Sequence, residues 1–129
     1  MEKRVLVVDD EPSMLDFMET VLEDAGYGVF LAEGAEKALD IFSRHEVSLV
    51  FLDLRLFGVN GIELCRQMRL MKPLTILYAM TGWSGLFDIE ECREAGFDDY
   101  FAKPLGIEAI LKAVEGAFEK RERWLNKFK

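Results

Sequence analysis

Short apolar runs alternate along this chain with stretches in which apolar residues recur every three or four positions. Uninterrupted runs predict buried strands, whereas the three-four spacing predicts helices. The predicted strands are Val5–Val8, Gly28–Leu31, Ser48–Leu52, Thr75–Ala79 and Tyr100–Ala102. The predicted helices run from about Met14 to Ala25, Ala35 to Phe42, Ile62 to Met71, about Leu86 to Ala95, and Ile107 to about Phe128. Each strand is therefore followed by a helix.

This alternation predicts right-handed crossovers and a parallel sheet with helices on both faces. The strands are almost continuously apolar, which fits a sheet that is buried on both sides. The chain has 129 residues, and no linker or low-complexity segment divides it. We therefore predict a single α/β domain, in which a doubly wound five-stranded parallel sheet is the middle layer of a three-layer sandwich.

The charge is large and unevenly distributed. Sixteen basic and twenty-four acidic residues give a net charge of −8, which argues against direct nucleic-acid binding. Residues 119–129 contain five basic and two acidic residues, so this segment carries +3 and the remainder −11. The basic C-terminal segment is therefore a separate feature.

Several residues bear on where the protein works. The apolar run Val5–Val8 is too short for a signal-peptide core or a membrane span, so no membrane insertion is expected. Cys65 and Cys92 fall in predicted helices without a disulfide framework, which indicates reduced thiols and a cytoplasmic protein. His45, the only histidine, lies beside Glu46 before the third strand and is expected to be a solvated surface residue.

Acidic residues follow two of the predicted strands. Asp9 and Asp10 come after the first strand, and Asp53 comes after the third. The carboxyl ends of strands are where open α/β sheets bind ligands. Three neighbouring carboxylates repel one another unless they hold protons or a cation. A hard divalent ion such as Mg²⁺ suits an all-oxygen site of this kind.

Two further strand ends also carry reactive side chains, Thr81 and Lys103. The segments around all four strand ends are VLVVDDEP, LVFLDLRLFGVNG, ILYAMTG and DDYFAKPL. Together they resemble the receiver domain of two-component response regulators over about residues 4–118. The resemblance implies a flavodoxin-like (βα)₅ fold with strand order 2-1-3-4-5 and a phosphorylation switch. On this basis residues 1–118 form the receiver, and residues 119–129 extend its last helix.

The resemblance also assigns roles to the acids. Asp53 is the nucleophile that accepts a phosphoryl group, and its acyl phosphate is the activated state. Asp10 binds Mg²⁺ (or Mn²⁺) directly and Asp9 binds it through water. Asp53 and the backbone carbonyl of Arg55 complete the protein ligands. Such a protein assists its own phosphorylation and dephosphorylation, but it is not a conventional turnover enzyme.

Three other side chains receive roles in the same way. Lys103 supplies a cation for a phosphoryl oxygen, and the Lys103–Pro104 pair implies a cis peptide bond. The hydroxyl of Thr81 moves to a phosphoryl oxygen. Tyr100 matches the switch aromatic that turns inward when Thr81 moves; the alternative is a residue that only covers the sheet edge.

Some positions depart from the family pattern. Phe57 stands where many receivers have proline, although Gly58 and Gly61 still permit a tight turn. Arg55 and Trp83 flank the expected phosphoryl position, and both are bulky enough to obstruct water, so we predict slow autodephosphorylation. Trp83 is equally consistent with an exposed aromatic that contacts a partner.

The last predicted helix is longer than one sheet edge requires. An apolar three-four spacing continues along it through Leu111, Val114, Phe118, Leu125 and Phe128. A homodimer seam, a linker to an effector domain and a frayed solvated helix all fit this pattern.

Other protein classes fit less well. Phosphatases of the haloacid dehalogenase type need a second aspartate at the position of Arg55, and arginine cannot act as that general acid. In a flavodoxin-like cofactor carrier, the acidic Asp9–Glu11 segment would repel the phosphate. A degenerate receiver that only binds partners would not need all the reactive positions filled.

The resemblance identifies the partners by class. The phosphoryl donor is a sensor histidine kinase or a phosphotransfer protein. Output is expected through the face of the fourth helix, fifth strand and fifth helix, toward an effector domain or target protein. No helix-turn-helix pattern follows residue 118, so direct nucleic-acid binding is not expected.

Overall fold

The computed structural model describes residues 3–56, 59–82 and 89–127, and it contains the predicted five strands and five helices. The parallel strands are β1 (Arg4–Val8), β2 (Gly28–Ala32), β3 (Leu49–Asp53), β4 (Ile76–Thr81) and β5 (Asp99–Ala102). The helices are α1 (Pro12–Asp24), α2 (Ala35–Arg44), α3 (Gly61–Met71), α4 (Ile89–Ala95) and α5 (Ile107–Asn126). The predicted starts and ends therefore lie close to the observed ones. Leu86 and Phe128 lie outside the described residues.

The sheet has the order β2-β1-β3-β4-β5, and all its neighbouring strands are parallel. This confirms the predicted fold. β1 and β3 lie inside the sheet, where Val8 pairs with Leu52 at their carboxyl ends. The residues that follow these two strands therefore lie next to each other.

Alternate residues of the inner strands point to opposite faces, and each face has its own core. Leu6, Val8, Val50 and Leu52 pack with α2, α3 and α4 on one face. The residues that alternate with these along the strands, including Val5 and Phe51, pack with α1 and α5 on the opposite face. A strand buried on both sides needs an uninterrupted apolar run, which explains the sequence pattern.

Local signals define the helix ends. Pro12 begins α1, and the Asn60 side chain accepts a hydrogen bond from Ile62 N–H (2.8 Å) at the start of α3. Gly26 and Gly96 follow α1 and α4 with φ angles of 94° and 111°, which glycine adopts without steric cost. One element was not predicted: residues 55–56 pair antiparallel with residues 59–60 in the loop before α3.

The apolar side of α5 belongs mainly to the core. Val114 and Phe118 are buried against the sheet, and Leu111 packs on the same cluster. Val114 and Phe118 are therefore not available as a dimer seam, whereas Leu111 is only partly buried. The apolar side chains that α5 exposes toward its end are Trp124 and Leu125, which retain 50% and 36% of their accessible surface.

The remaining sequence expectations can be compared directly with the described residues. Cys65 and Cys92 are both buried, and neither is part of a disulfide. His45 is exposed, as predicted, and its ring stacks on Phe30. Within the described ranges, every helix is too short or too polar to cross a membrane.

Candidate functional site

Two buried carboxylates lie at the carboxyl edge of the sheet. Asp9 directly follows β1 and has no exposed surface, and Asp53 is the last residue of β3 and is 4% exposed. Asp9 is fixed from the neighbouring strand, because its N–H donates to the Ala32 carbonyl (3.1 Å). Burying acids is costly unless they are paired or bind a cation, so this pair indicates a functional site.

Each carboxylate is oriented by a local backbone hydrogen bond. Asp9 Oδ1 accepts from Glu11 N–H (2.9 Å), and Asp53 Oδ1 accepts from Arg55 N–H (3.0 Å). In both cases the donor lies two residues further along the chain, where the strand turns into its loop. The Oδ2 atoms remain for partners from elsewhere in the fold.

Lys103, which directly follows β5, is the partner of both Oδ2 atoms. Its Nζ lies 2.6 Å from Asp9 Oδ2 and 3.0 Å from Asp53 Oδ2. The Lys103 backbone is held by its N–H bond to the Thr81 carbonyl (2.7 Å). Glu11 lies further away, with Oε1 3.9 Å from Nζ. One cation thus bridges two buried carboxylates.

The pKa values reflect this crowding. Burial raises the pKa of Asp53 and the Asp9 charge adds to the rise, while the Arg55 N–H and Lys103 oppose it. Burial acts to lower the pKa of Lys103, but Asp9 and Asp53 together outweigh it and the pKa is raised. Lys103 is therefore positively charged at neutral pH, and ionisation of Asp53 is less favourable than that of an aspartate in water.

The acids also fit a divalent cation. Carboxylate oxygens of Asp9, Asp10 and Asp53 all lie within 4.8 Å of one another. Asp9 Oδ2 is buried and accepts no aligned hydrogen bond within the described part of the chain, although it is ion-paired with Lys103. A hard ion such as Mg²⁺ prefers oxygen donors of this kind. The donor set therefore suits Mg²⁺.

The other predicted residues are divided between this edge and regions that the structure does not describe. Thr81 is buried at the end of β4, next to β3, and Tyr100 is half-buried in β5. Arg55 is exposed at the start of the loop after β3, whereas Trp83 lies outside the described residues, as do Phe57 and Gly58. The prediction of slow hydrolysis therefore stays a prediction.

The Lys103–Pro104 peptide bond is cis, as the resemblance implied. Sequence reasoning gave no role to Glu11, although it belongs to one of the quoted motifs and supplies the N–H that orients Asp9.

The fold and the acidic pocket define a class: CheY-like α/β domains with a potential metal site at the carboxyl edge of a parallel sheet. The sequence matches the response regulator receiver domain family over residues 5–115. The chain therefore belongs to this family. It is a receiver domain of two-component signalling, in which an aspartate accepts a phosphoryl group from a histidine kinase or a phosphotransfer protein.

Individual relatives agree with this assignment. Sporulation initiation phosphotransferase F of Bacillus subtilis is 33% identical over 115 residues, which are 89% of this chain and 93% of that protein. A CheY-like receiver domain structure from Methanospirillum hungatei superposes with a TM-score of 0.91 at 28% identity, covering 95% of this chain and 98% of the other.

Longer proteins share the same domain. A response regulator structure from Burkholderia pseudomallei, described with a phosphorylated aspartic acid and a calcium ion, superposes with a TM-score of 0.82 at 26% identity. This match covers 98% of the present chain and 75% of that one. The chain spans only about half or less of several longer curated relatives.

Proposed function

We propose that Asp53 is the phosphoacceptor of this receiver. The observation that carries the proposal is its central position: β3 lies between β1, which leads to Asp9 and Asp10, and β4, which ends at Thr81. Lys103 reaches Asp53 from β5. Acidic, hydroxyl and cationic groups therefore surround this one carboxylate.

The proposed step is a phosphoryl transfer. An Asp53 carboxylate oxygen forms a bond to phosphorus while the bond between phosphorus and the histidine nitrogen of the donor breaks. The electron pair of the broken bond remains on the imidazole, which takes up a proton. Lys103 Nζ pairs with one phosphoryl oxygen of the resulting acyl phosphate, and the Thr81 hydroxyl donates to another. The chain thus assists its own modification without being a turnover enzyme.

Asp9, Asp10, Asp53 and the backbone carbonyl of Arg55 would hold Mg²⁺ or Mn²⁺. When bound, the ion supplies positive charge that offsets the clustered acids and the incoming phosphoryl group. The close approach of the three carboxylates supports this ligand set.

Output is proposed through the face of α4, β5 and α5, with Tyr100 as the switch residue. Tyr100 lies beside Ile89 and Arg93 of α4 in a shallow cleft. Ile89 of α4 is a large apolar side chain that is nevertheless 64% exposed. This face therefore offers an aromatic side chain and an exposed apolar contact, which supports the proposal.

The partners follow from the same proposal. A sensor histidine kinase or phosphotransfer protein donates the phosphoryl group, and an effector domain, a target protein or a second copy receives the signal. The exposed Trp124 and Leu125 are the contacts that residues 119–129 offer to such a partner. Cys65 and Cys92 are buried and form no disulfide, which supports a reducing compartment, and we infer the cytoplasm.

The test is phosphorylation by acetyl phosphate, followed by phosphate-affinity electrophoresis and by intact mass. We expect the wild-type protein to be modified with Mg²⁺ and to remain unmodified in excess chelator. Asp53→Asn should abolish the modification, because an amide oxygen is too weak a nucleophile. Asp16→Asn, on the exposed side of α1, is the matched control and should react like the wild type.

Modification of Asp53→Asn at the wild-type rate would place the phosphoryl group on another residue. Equal modification with and without chelator would remove the metal from the proposal.

A further inference from the structure

Gly61, the first residue of α3, lies unusually close to the backbone at the end of β3. A Cβ atom on Gly61 would lie 2.5 Å from the Asp53 carbonyl oxygen, 2.7 Å from Leu54 Cα and 3.1 Å from Leu54 carbonyl carbon. Cβ atoms do not approach other heavy atoms to less than 3.0 Å. All three neighbours are backbone atoms, so no side-chain rotation can relieve the clash. Any side chain at position 61 must therefore move α3 or the backbone of residues 53 and 54.

The backbone that would move is held from two sides. Leu54 N–H donates to the Met80 carbonyl of β4 (3.0 Å), and the Leu54 carbonyl accepts from Gly61 N–H (3.0 Å). The first turn of α3 is itself fixed by the Asn60 side chain. The backbone of Leu54 is therefore hydrogen-bonded to both β4 and α3, and a side chain at position 61 would collide directly with it.

The same segment sets the direction of the Asp53 side chain. Asp53 Oδ1 accepts from Arg55 N–H (3.0 Å), so the carboxylate follows the path of the backbone from Asp53 to Arg55. The proposed metal ligand of Arg55, its backbone carbonyl, belongs to this path as well. A displacement of the backbone at Asp53 and Leu54 is thus transmitted to two groups of the site.

We propose that Gly61 is a positioning residue for phosphoryl acceptance: its missing side chain lets α3 approach β3 so closely that Asp53 and the Arg55 carbonyl are held in place. This inference rests on the proposed function of Asp53. Misplacing reacting groups by about 1 Å can reduce rates by about a hundredfold, so even partial displacement has a measurable effect.

The test compares Gly61→Ala with two controls. Gly116→Ala places the same methyl group on α5, where no atom lies within 4 Å. Leu64→Ala truncates a buried side chain of α3, 1% exposed, and lowers stability without adding volume beside Asp53. For each variant we would measure Mg²⁺ affinity by calorimetry, the initial rate with acetyl phosphate, and chemical unfolding, at a temperature where the variant is folded.

Gly61→Ala is expected to lose at least tenfold in phosphorylation rate and to bind Mg²⁺ several-fold more weakly. Gly116→Ala should match the wild type in both, and Leu64→Ala should match it despite its lower stability. If Gly61 served stability alone, Gly61→Ala would bind Mg²⁺ as well as Leu64→Ala does. Weaker Mg²⁺ binding in Gly61→Ala only is therefore the result that distinguishes a positioning role.

Three outcomes would overturn the inference. They are wild-type behaviour of Gly61→Ala, equal losses in Gly61→Ala and Leu64→Ala, and a Gly61→Ala chain that stays unfolded at low temperature with a stabilising osmolyte. The last result would make Gly61 a requirement for folding instead of for placing the site. If the wild-type protein itself is not phosphorylated, the proposed function fails, and the Mg²⁺ affinities still test Gly61 separately.

Discussion

At the scale of the single residue, Lys103 has two roles that oppose each other. It neutralises Asp9 and Asp53 by lying between their Oδ2 atoms, and it is also the cation proposed to meet the phosphoryl group. A divalent ion at the same acids would compete with Lys103 for their charge. The side chain therefore stabilises the acid pair and would weaken the proposed metal binding at the same time.

Replacing this lysine should separate the two roles. Lys103→Met leaves the acids without their cation, so Mg²⁺ is expected to bind roughly threefold to tenfold more tightly. Phosphorylation by acetyl phosphate should nevertheless slow by about tenfold or more, because the charge on the phosphoryl oxygens loses its partner. Calorimetry at fixed ionic strength and the acetyl phosphate assay give the two values.

The control is Lys112→Met, which removes an exposed lysine of α5 and should change neither value. Weaker Mg²⁺ binding in Lys103→Met would mean that Lys103 arranges the acids for the metal instead of competing with it.

Sequence reasoning could identify the residues of the site but not their contacts. Asp9, Asp53 and Lys103 were recognisable because the carboxyl ends of parallel strands meet at one edge. The bridge formed by Lys103 depends on how far its side chain reaches, which spacing does not encode. The importance of Gly61 depends on the path of the loop before α3, and no local pattern predicts it.

At the scale of secondary-structure elements, Arg69 of α3 links the segment between α3 and β4 to the segment between α4 and β5. It donates to the carbonyls of Pro73 (2.8 Å), Thr75 (2.7 Å) and Gly96 (3.1 Å), and it pairs with Asp98 (2.9 Å). Its side chain is only 25% exposed. From the sequence, an arginine near the end of a helix is most simply interpreted as solvated, so this junction was not predicted.

Removing Arg69 should cost far more stability than removing a neighbouring arginine. Arg69→Met removes a donor from three carbonyls and the charge partner of Asp98, which keeps its bond from Leu77 N–H (2.8 Å), and we expect a loss of about 2–4 kcal/mol. Arg66→Met breaks only an exposed pair with Glu63 at 3.4 Å and should cost less than about 1 kcal/mol. Urea unfolding of both variants measures the difference, and equal losses would show that the Arg69 contacts add little.

At the scale of the whole molecule, unfolding should depend on alkaline pH through buried phenol and thiol groups. Burial, reinforced by Asp99 and Asp98, raises the pKa of Tyr78 from 10.0 to about 12. The folded protein therefore keeps a proton that the unfolded chain releases above pH 10. This contribution to stability is complete below pH 10 and is lost between pH 10 and 12, at about 1.4 kcal/mol per pH unit.

Tyr78→Phe tests this dependence because it keeps the ring that packs against Phe51 and Phe101. The stability of the variant relative to the wild type should be constant between pH 7 and 9 and should then rise in favour of the variant up to pH 11. Urea midpoints at each pH provide the measurement. A constant difference across the whole range would show that the phenol ionises equally easily in both states.

The fold as a whole was predictable because its strands and helices carry strong, separate signals. Val5–Val8 is apolar at every position since β1 is covered on both faces, and that run is visible in the sequence. The order of the strands came from family resemblance, because periodicity does not say which strands are neighbours. The end of α5 was the least predictable, since the same three-four spacing serves core packing in Val114 and Phe118 and exposure in Leu125.

The position of β1 between β2 and β3 has a consequence for how the protein assembles. The chain is synthesised from its N-terminus, and β3, β4 and β5 lie on one side of β1 in the order in which they are made. Asp9, Asp10 and Asp53 are present once three strands have emerged, but Lys103 arrives only after β5. Lys103 is thus the last of these groups to be made, and its single positive charge offsets part of the charge of the acids that follow the earlier strands.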